Sequence, residues 1–214
     1  MIMEDSISQR KQDEEKYRII GRLPPGQSLT LQFPVYHFGH IPSFDLQKWD
    51  FKFWGEVETP LQLSWKEFND LPKTKIQLDL HCVTRWSKMD TLWEGIQVKT
   101  LVEKDLLVIK PSAKFVIQHA ENGFTTNFPL EVALAENFLL ATHFNGEPIS
   151  PDHGAPLRGV IGAIPEVPEL KTLYLWKGAK WLRSLEFSSI DKPGFWEQAG
   201  YHNEADVWKE QRYG

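Results

Sequence analysis

Residues whose side chains could act in catalysis or binding lie mainly in two stretches of the sequence. The first stretch contains the single cysteine. Cys82 follows the alternating segment KIQLDLH, where the polar residues Thr84 and Arg85 indicate that the chain leaves a sheet. Three interpretations of the thiol are open. It is a buried small hydrophobe, as free cysteine often is. It is a nucleophile with His81 or another histidine as base. Or its thiolate binds a metal whose other ligands come from an organic cofactor.

The second stretch gathers positive charge. His153 and Arg158 lie five residues apart around a Gly-Ala-Pro turn in HGAPLRGVIGA, and Lys177 and Lys180 follow in LWKGAKWLR. An arginine fork matches phosphate oxygens, a lysine adds a point charge, and small residues let backbone N–H groups approach an anion. This pattern predicts a site for a phosphate-bearing cofactor. The alternative is that these are solvated surface charges, as most such residues are.

Strand patterns surround both stretches. Alternation of apolar and polar residues predicts strands in WDFKFWGEV, KIQLDLH, KFVIQHA, FLLATHF, LRGVIGA, KTLYLW and LRSLEFSSI. Ser64 and Glu67 form a capping box that predicts a short helix ending before Pro72. The segment PLEVALAENF predicts another short helix, and VKTLVEKDLL predicts a helix or a strand-to-helix step. We therefore expect an α+β fold of mixed, mainly antiparallel sheets with short peripheral helices. No GxGxxG or Walker-type motif indicates a doubly wound nucleotide fold.

The chain length of 214 residues predicts one large domain with a short arm. Residues 1–20 are polar and charge-dense, and we expect a flexible or loosely helical arm. Residues 21–43 are rich in proline and glycine, which predicts an extended segment laid across a surface. The main domain then covers residues 21–214.

Charge and hydropathy exclude several functions. The net charge of -5 provides no basic face for nucleic acid. The N-terminal residues do not resemble a secretory signal, and no apolar run approaches the ~20 residues of a membrane span, so we expect a cytoplasmic protein. One cysteine makes no internal disulfide, and a structural zinc site needs clustered ligands that the sequence lacks.

Several motifs, in order, resemble the sulfite oxidase family. They are LDLHCVTRWS with LWEGI, ENGFTTNFPL, FLLATHFNGEPISPDHGAPLR, KGAKWLRSLEF and PGFWEQAGYHNEADVW, and the likeness runs from about Leu31 to the C-terminus. The chain is similar to the single-domain bacterial and archaeal branch of oxidoreductases in this family. The resemblance implies that residues 21–214 form a molybdopterin-binding catalytic domain with the sulfite oxidase fold. It implies one molybdenum held by a pterin dithiolene, oxo groups and a protein thiolate.

Carried onto this sequence, the resemblance assigns Cys82 as the ligand to molybdenum. It implies that His153 and Arg158 meet the pterin and its phosphate, and that Lys177 and Lys180 lie in a loop that closes over the same phosphate.

Other matching positions come from separate parts of the chain. Tyr36 and His37 match polar residues placed against the pterin and metal, and Thr126 and Asn127 match a polar loop beside the metal site. Tyr201 lies near a tyrosine that lines the substrate pocket of sulfite oxidases. Each has a plain alternative. The tyrosines are packing residues or anchors, the histidines are satisfied structural groups, and the Thr-Thr-Asn run is an ordinary turn.

Departures from the family pattern restrict the expected substrate. Animal and plant sulfite oxidases follow the ligand cysteine with an arginine-rich turn, whereas CVTRWS offers only Arg85 at a shifted position. Sulfite is therefore a doubtful substrate. The haem and dimerisation domains of those enzymes have no counterpart in the sequence, so we expect a separate electron-transfer protein and leave the oligomeric state open.

The expected function is oxygen-atom transfer by a molybdenum oxidoreductase. Its small-molecule substrate is an oxyanion or an S- or N-oxide, and the Cys82 thiolate ligates the metal. The alternative is a molybdopterin carrier or scaffold with no turnover of its own. A third interpretation is a folded protein with a buried cysteine and no metal.

Overall fold

A computed structural model describes residues 2–214 of the chain, with side chains described from residue 7 onward. Two β-sheets and five helices make up the fold. The strands are β1 Ser28–Leu29, β2 Asp50–Gly55, β3 Leu61–Ser64, β4 Thr74–His81, β5 Trp86–Ile96, β6 Phe115–Ala120, β7 Thr125–Pro129, β8 Phe138–Phe144, β9 Glu147–Pro148, β10 Arg158–Ile161 and β11 Leu182–Ser188. The helices are α1 Ile2–Ile19, α2 Trp65–Asn69, α3 Val98–Glu103, α4 Leu130–Ala133 and α5 Phe195–Gln198.

The first sheet contains six strands along the path β1-β5-β8-β10, with β4 paired to β5 and β9 to β8. The second contains five in the order β3-β2-β11-β6-β7. Only β1 with β5 and β2 with β11 run parallel. The predicted α+β class with mixed, mainly antiparallel sheets is confirmed.

The main core lies between the two sheets. Phe53 of β2 and Leu185 of β11 face Leu140 of β8 and Ile161 of β10, and all four are buried. Helix α2 adds Phe68 to this core. The Ser64 hydroxyl and the Glu67 carboxylate close the capping box that the sequence predicts. Complete burial of these side chains gives the sheets a fixed separation.

A second apolar cluster covers the other face of the first sheet. It contains Leu78, Leu80 and Trp93 from the β4–β5 hairpin, with Val160 from β10. A third cluster, smaller, surrounds Cys82. The hairpin that carries the cysteine is therefore held by apolar packing on both sides.

Residues 1–20, expected to be a flexible or loosely helical arm, fall almost entirely in helix α1, while Met1 lies outside the described residues. Side-chain contacts tie the helix end to the domain. The Glu14 carboxylate accepts from the backbone N–H of Leu29 at 2.9 Å, and the Tyr17 hydroxyl donates to Asp90 at 3.0 Å. Just beyond the helix, Arg22 donates twice to Asp79 at 2.8 Å. No helix in the described part of the chain has the length and apolarity to cross a bilayer.

The structure differs from the strand predictions at KTLYLW, at β5 and at β7. The Thr-Thr-Asn run, expected to be a polar loop or turn, lies in strand β7. The segment KTLYLW is not a strand, because Leu173 makes only an isolated bridge and the chain then winds into a 3-10 turn over Leu175–Lys177. Strand β5 was not predicted, although its 11 residues pair with β1, β4 and β8. It is irregular, with register shifts against both β4 and β8, so its alternation is interrupted.

Candidate active site

Cys82 opens the tight loop that joins β4 to β5. Its N–H donates to the carbonyl of Trp86 at 2.9 Å, and the N–H of Arg85 donates back to the Cys82 carbonyl at 3.0 Å. Arg85 has a φ of 71°, in the left-handed region. From the position just before strand β1, the Gln27 amide donates to the same Cys82 carbonyl at 3.0 Å. The loop is therefore short and well anchored.

The Cys82 thiol lies at the wall of a cavity of about 340 Å³. Only 8% of the residue is exposed. The lining comes from distant parts of the chain: Phe33, Pro34, Tyr36, His37, Phe38, Cys82, Val83, Thr84, Trp86, Phe124, Arg158, Leu175, Trp176, Gly178, Lys180, Trp181, Trp196 and Tyr201. Among the residues whose side chains the structure describes, this lining contains aromatic and cationic side chains and no aspartate or glutamate.

Burial keeps the thiol neutral in the absence of a cation. Desolvation raises the pKa of Cys82, and a hydrogen bond of 3.2 Å from the Thr84 hydroxyl to Sγ opposes that rise. A metal ion would reverse the balance, because a coordinating thiol is deprotonated outright.

Arg158 opens strand β10 and presents a guanidinium to the cavity. The residue is buried, and its Nη1 donates to the carbonyl of His153 at 2.9 Å. Its charge lies over the rings of Trp93 and Phe33, at 5.5 and 5.9 Å. Burial alone lowers its pKa to about 10, and no described carboxylate forms an ion pair with it. A buried guanidinium without a counter-ion is a ready site for an anion.

Lys180 supplies a second cation to the same cavity. Its Nζ donates to the backbone carbonyl of Asp152 at 2.7 Å. Burial, and then the nearby charge of Arg158, lower its pKa to about 7. Gly154, with a φ of 113°, packs directly on this lysine, and a Cβ there would come within 3.0 Å of Lys180.

His153 lies behind the cavity wall. Its ring stacks on Phe33 with centroids 4.1 Å apart, and its Nδ1 has no hydrogen-bond partner among the described residues. Burial, with the charges of Lys180 and Arg158, lowers the pKa of His153 to about 4, so the imidazole is neutral. It does not line the cavity, and its carbonyl positions Arg158.

Tyr36, His37 and Tyr201 reach the cavity from two other segments. The extended segment 33–38 crosses it, and the His37 ring packs edge-on against Trp181 at 5.5 Å. After helix α5, Tyr201 contacts Trp196 with ring centroids 5.1 Å apart.

Comparison with known proteins agrees with this geometry. Residues 38–196 match the family described as oxidoreductase molybdopterin binding domain. The chain belongs to this family. It is 44% identical over 194 residues to an uncharacterized oxidoreductase, YuiH, of Bacillus subtilis, covering 90% of this chain and 92% of that protein.

More distant relatives are longer than this chain. Sulfite oxidase of Arabidopsis thaliana is 26% identical, and the match covers 83% of this chain and 53% of that enzyme. Among solved structures, the sulfane dehydrogenase SoxCD of Paracoccus pantotrophus superposes with a TM-score of 0.60 at 18% identity, covering 80% of this chain and 46% of that one. The expected fold and a molybdopterin-dependent oxidoreductase class are thereby confirmed.

For three predicted cofactor ligands of this molybdopterin domain the geometry differs from the expectation. Lys177 is fully buried, and its Nζ contacts Glu197 at 2.6 Å and the carbonyl of Asn127 at 2.8 Å. Thr126 donates to the same Glu197 at 2.8 Å. None of Lys177, Thr126 and Asn127 lines the cavity. The turn Leu175–Lys177 directs the Lys177 side chain into the interior, where its ammonium group forms an ion pair with the Glu197 carboxylate.

Sequence reasoning missed much of the aromatic lining. Phe33, Trp176, Trp181 and Trp196 all face the cavity. The sequence indicated them only through the number of tryptophans, nine in 214 residues. A sequence does not distinguish an aromatic residue of the core from one that lines a pocket.

Proposed function

We propose that this chain is a molybdenum–molybdopterin enzyme that transfers an oxygen atom to or from a small oxyanion or an S- or N-oxide, with the Cys82 thiolate as the protein ligand to the metal. One observation carries the proposal: the chain's single thiol, the buried Arg158 and the partly buried Lys180 line one cavity. Among the described residues no carboxylate forms an ion pair with either cation, and the lining contains no acidic side chain.

The residues fit the cofactor by the chemistry of their donors. A metal favours a thiolate, and the pterin tail ends in a phosphate that matches an arginine fork and a lysine charge. Gly178, at the cavity wall, leaves no room for a side chain, since a Cβ there would lie 2.3 Å from the carbonyl oxygen of Gly159. The glycine therefore lets the turn pack directly on strand β10, which fixes the backbone at this part of the cavity wall.

Each side chain then has a defined task. Cys82 binds the metal, Thr84 donates a hydrogen bond to its sulfur, and Arg158 and Lys180 neutralise the phosphate. Tyr36 and His37 contact the pterin, and His153 holds Arg158 through its backbone carbonyl. When bound, the cofactor supplies two-electron oxygen-atom transfer, and the protein supplies orientation and electrostatics.

Lys177, Thr126 and Asn127 support the site indirectly in this proposal. Lys177 and Thr126 contact Glu197, and the Asn127 carbonyl accepts from Lys177. These bonds connect strand β7 to helix α5 and to the turn that precedes Lys180. The connection fixes the two segments that carry Lys180 and Tyr201, so these residues position the lining without touching the cofactor.

Electrons leave or arrive singly after each turnover, which requires a donor or acceptor. We propose a separate electron-transfer protein as that partner, and a cytoplasmic location stays a prediction from the sequence.

Expression in a host that synthesises the cofactor tests the proposal. We expect molybdenum and pterin at near one equivalent per chain. Cys82→Ser should retain the fold, measured by circular dichroism, and lose metal and turnover with a dye-coupled assay. Arg158→Gln should lower the pterin content, whereas Arg183→Gln, which removes an arginine outside the cavity, should leave it unchanged.

Two outcomes would contradict the proposal. Protein purified from such a host without molybdenum would refute the cofactor assignment. Bound cofactor that never cycles between oxidised and reduced forms with any oxide or oxyanion would instead favour the carrier or scaffold alternative.

A further inference from the structure

Part of the cavity lining is a continuous set of aromatic rings, called here the aromatic wall: Phe38, Phe124, Trp176, Trp196 and Tyr201. Tyr201 contacts Trp176 and Trp196, with centroids 5.1 Å apart in each pair. Phe195 joins the two phenylalanines from behind, at 4.2 Å from Phe38 and 6.1 Å from Phe124. The wall is therefore rigid and presents ring faces and edges.

Cationic side chains near the cysteine loop do not reach this wall. Arg85 lies outside the cavity, close to Gly26, where a Cβ on the glycine would be 3.0 Å from its Nη1. Arg212 also lies outside, and its Nη1 donates to the Val83 carbonyl at 2.9 Å. Lys177 is paired with Glu197 in the interior. None of these three cations therefore lines the cavity.

Two described residues with arginine or lysine side chains, Arg158 and Lys180, do line the cavity. Arg158 and Lys180 come together through the Asp152 and His153 carbonyls, which accept from Lys180 and Arg158 respectively. In the proposed function these two charges neutralise the cofactor phosphate. A dianionic phosphate would consume both charges, and the rest of the described lining contains no arginine, lysine, aspartate or glutamate.

We infer that the substrate is an uncharged organic sulfoxide or N-oxide with an apolar or aromatic group, which the aromatic wall selects over inorganic oxyanions. This inference rests on the proposed function and narrows it. Rings of this kind bind apolar and aromatic groups by dispersion and edge-to-face contacts. They offer nothing to offset the desolvation of sulfite or nitrate.

The reaction balances as a reduction. A sulfoxide takes two electrons and two protons, its sulfur–oxygen bond breaks, and the products are the sulfide and water. The electrons come from a one-electron donor, for which a reduced viologen substitutes in the assay.

Holoenzyme from a cofactor-producing host tests the inference. Steady-state reduction by reduced viologen should give kcat/KM for methyl phenyl sulfoxide about tenfold above that for dimethyl sulfoxide, because an apolar group in a fitted pocket contributes about that much. Nitrate reduction, and sulfite oxidation with ferricyanide, should be lower than the aryl sulfoxide by at least roughly a hundredfold.

Variants at the aromatic wall identify the selecting group. Trp196→Leu should reduce the preference for the aryl over the dimethyl substrate to near one, mainly through KM, and Trp196→Phe should restore most of it. Trp54→Leu is the matched control, because this tryptophan is exposed on β2 and does not line the cavity. Titration calorimetry of the oxidised holoenzyme with methyl phenyl sulfoxide provides a readout that does not depend on turnover.

The outcomes separate the two proposals. Absence of molybdenum and pterin overturns the proposed function. Holoenzyme that carries both and turns over sulfite or nitrate within tenfold of the aryl sulfoxide leaves the proposed function standing and overturns this inference. Failure of the aryl sulfoxide to bind in the calorimeter, or an unchanged preference in Trp196→Leu, also overturns it.

Discussion

The Arg212 guanidinium donates a hydrogen bond of 2.9 Å to the carbonyl oxygen of Val83, a residue 129 positions earlier in the chain. Val83 follows the proposed metal ligand Cys82, and the same guanidinium lies 4.8 Å over the Tyr174 ring. Arg212 is buried, so this bond is shielded from water. The conformation of the cysteine loop thus depends on a side chain from the C-terminal segment.

Arg212→Met should therefore loosen the cysteine loop. We expect the free energy of unfolding, measured with urea, to fall by about 2 kcal/mol, the contribution of a buried hydrogen bond to a charged group. In cofactor-free protein, iodoacetamide should alkylate Cys82 faster. Lys209→Met, which removes an exposed cation from the same segment, is the control. An unchanged alkylation rate would show that Arg212 does not hold the loop.

Lys177→Met should destabilise the whole domain. Lys177 and Glu197 are buried at 2.6 Å, and removing one partner leaves an uncompensated charge, which costs about 3–5 kcal/mol. The double variant Lys177→Met with Glu197→Leu should recover part of that loss, because the two effects are coupled. Urea unfolding of the three proteins measures both. Loss of cofactor from Lys177→Met at unchanged stability would instead indicate a direct phosphate contact.

Lys180 should make anion binding depend on pH. Its pKa of about 7 in the folded protein is lowered by burial and Arg158, so above that pH the amine is mostly neutral until an anion restores its proton. Binding then takes up a proton, and the affinity falls as pH rises from 7, by up to about tenfold per pH unit.

Sulfate is a suitable probe because it stays a dianion from pH 6 to 9, and calorimetry of cofactor-free protein measures its affinity. Lys180→Arg should flatten the profile, since arginine stays protonated. A profile with the same slope in Lys180→Arg would assign the proton to another group.

Gly178→Ala should separate the turn that precedes Lys180 from strand β10. The added Cβ would lie 2.3 Å from the Gly159 carbonyl oxygen, which belongs to the backbone and cannot turn aside. We expect a loss of about 1–3 kcal/mol, as for an overpacked core, together with a lower pterin content. Gly214→Ala is the control, because its nearest atoms are 3.9 Å away. Equal effects of the two substitutions would contradict the close approach.

Local sequence patterns predicted the fold class, because apolar and polar residues alternate along a strand that buries one face. The segment KIQLDLH and the capping box at Ser64 and Glu67 are of this kind, and both form as expected. Strand β5 was missed because register shifts break its alternation. Periodicity therefore identifies regular elements and fails at irregular ones.

The sequence predicted that the thiol and the cations serve one site, and their roles toward a cofactor stay a prediction. Cys82, Arg158 and Lys180 come together at one cavity, although 98 residues separate the first from the last. Lys177 is a cation three positions before Lys180, yet a single 3-10 turn buries it against Glu197. Composition cannot show which of two neighbouring lysines faces the interior, because that depends on backbone angles such as the φ of 53° at Trp181.

The cysteine loop is closed from both directions, by the Gln27 amide on the Cys82 carbonyl and by Arg212 on the next residue. The bond from Arg212 joins residues 129 positions apart, so it forms only after both segments have been synthesised. When translation has reached the end of strand β11, the hydrogen bond from Arg212 to the cysteine loop cannot yet have formed. The conformation of the cysteine loop is therefore completed only after residue 212 has been synthesised.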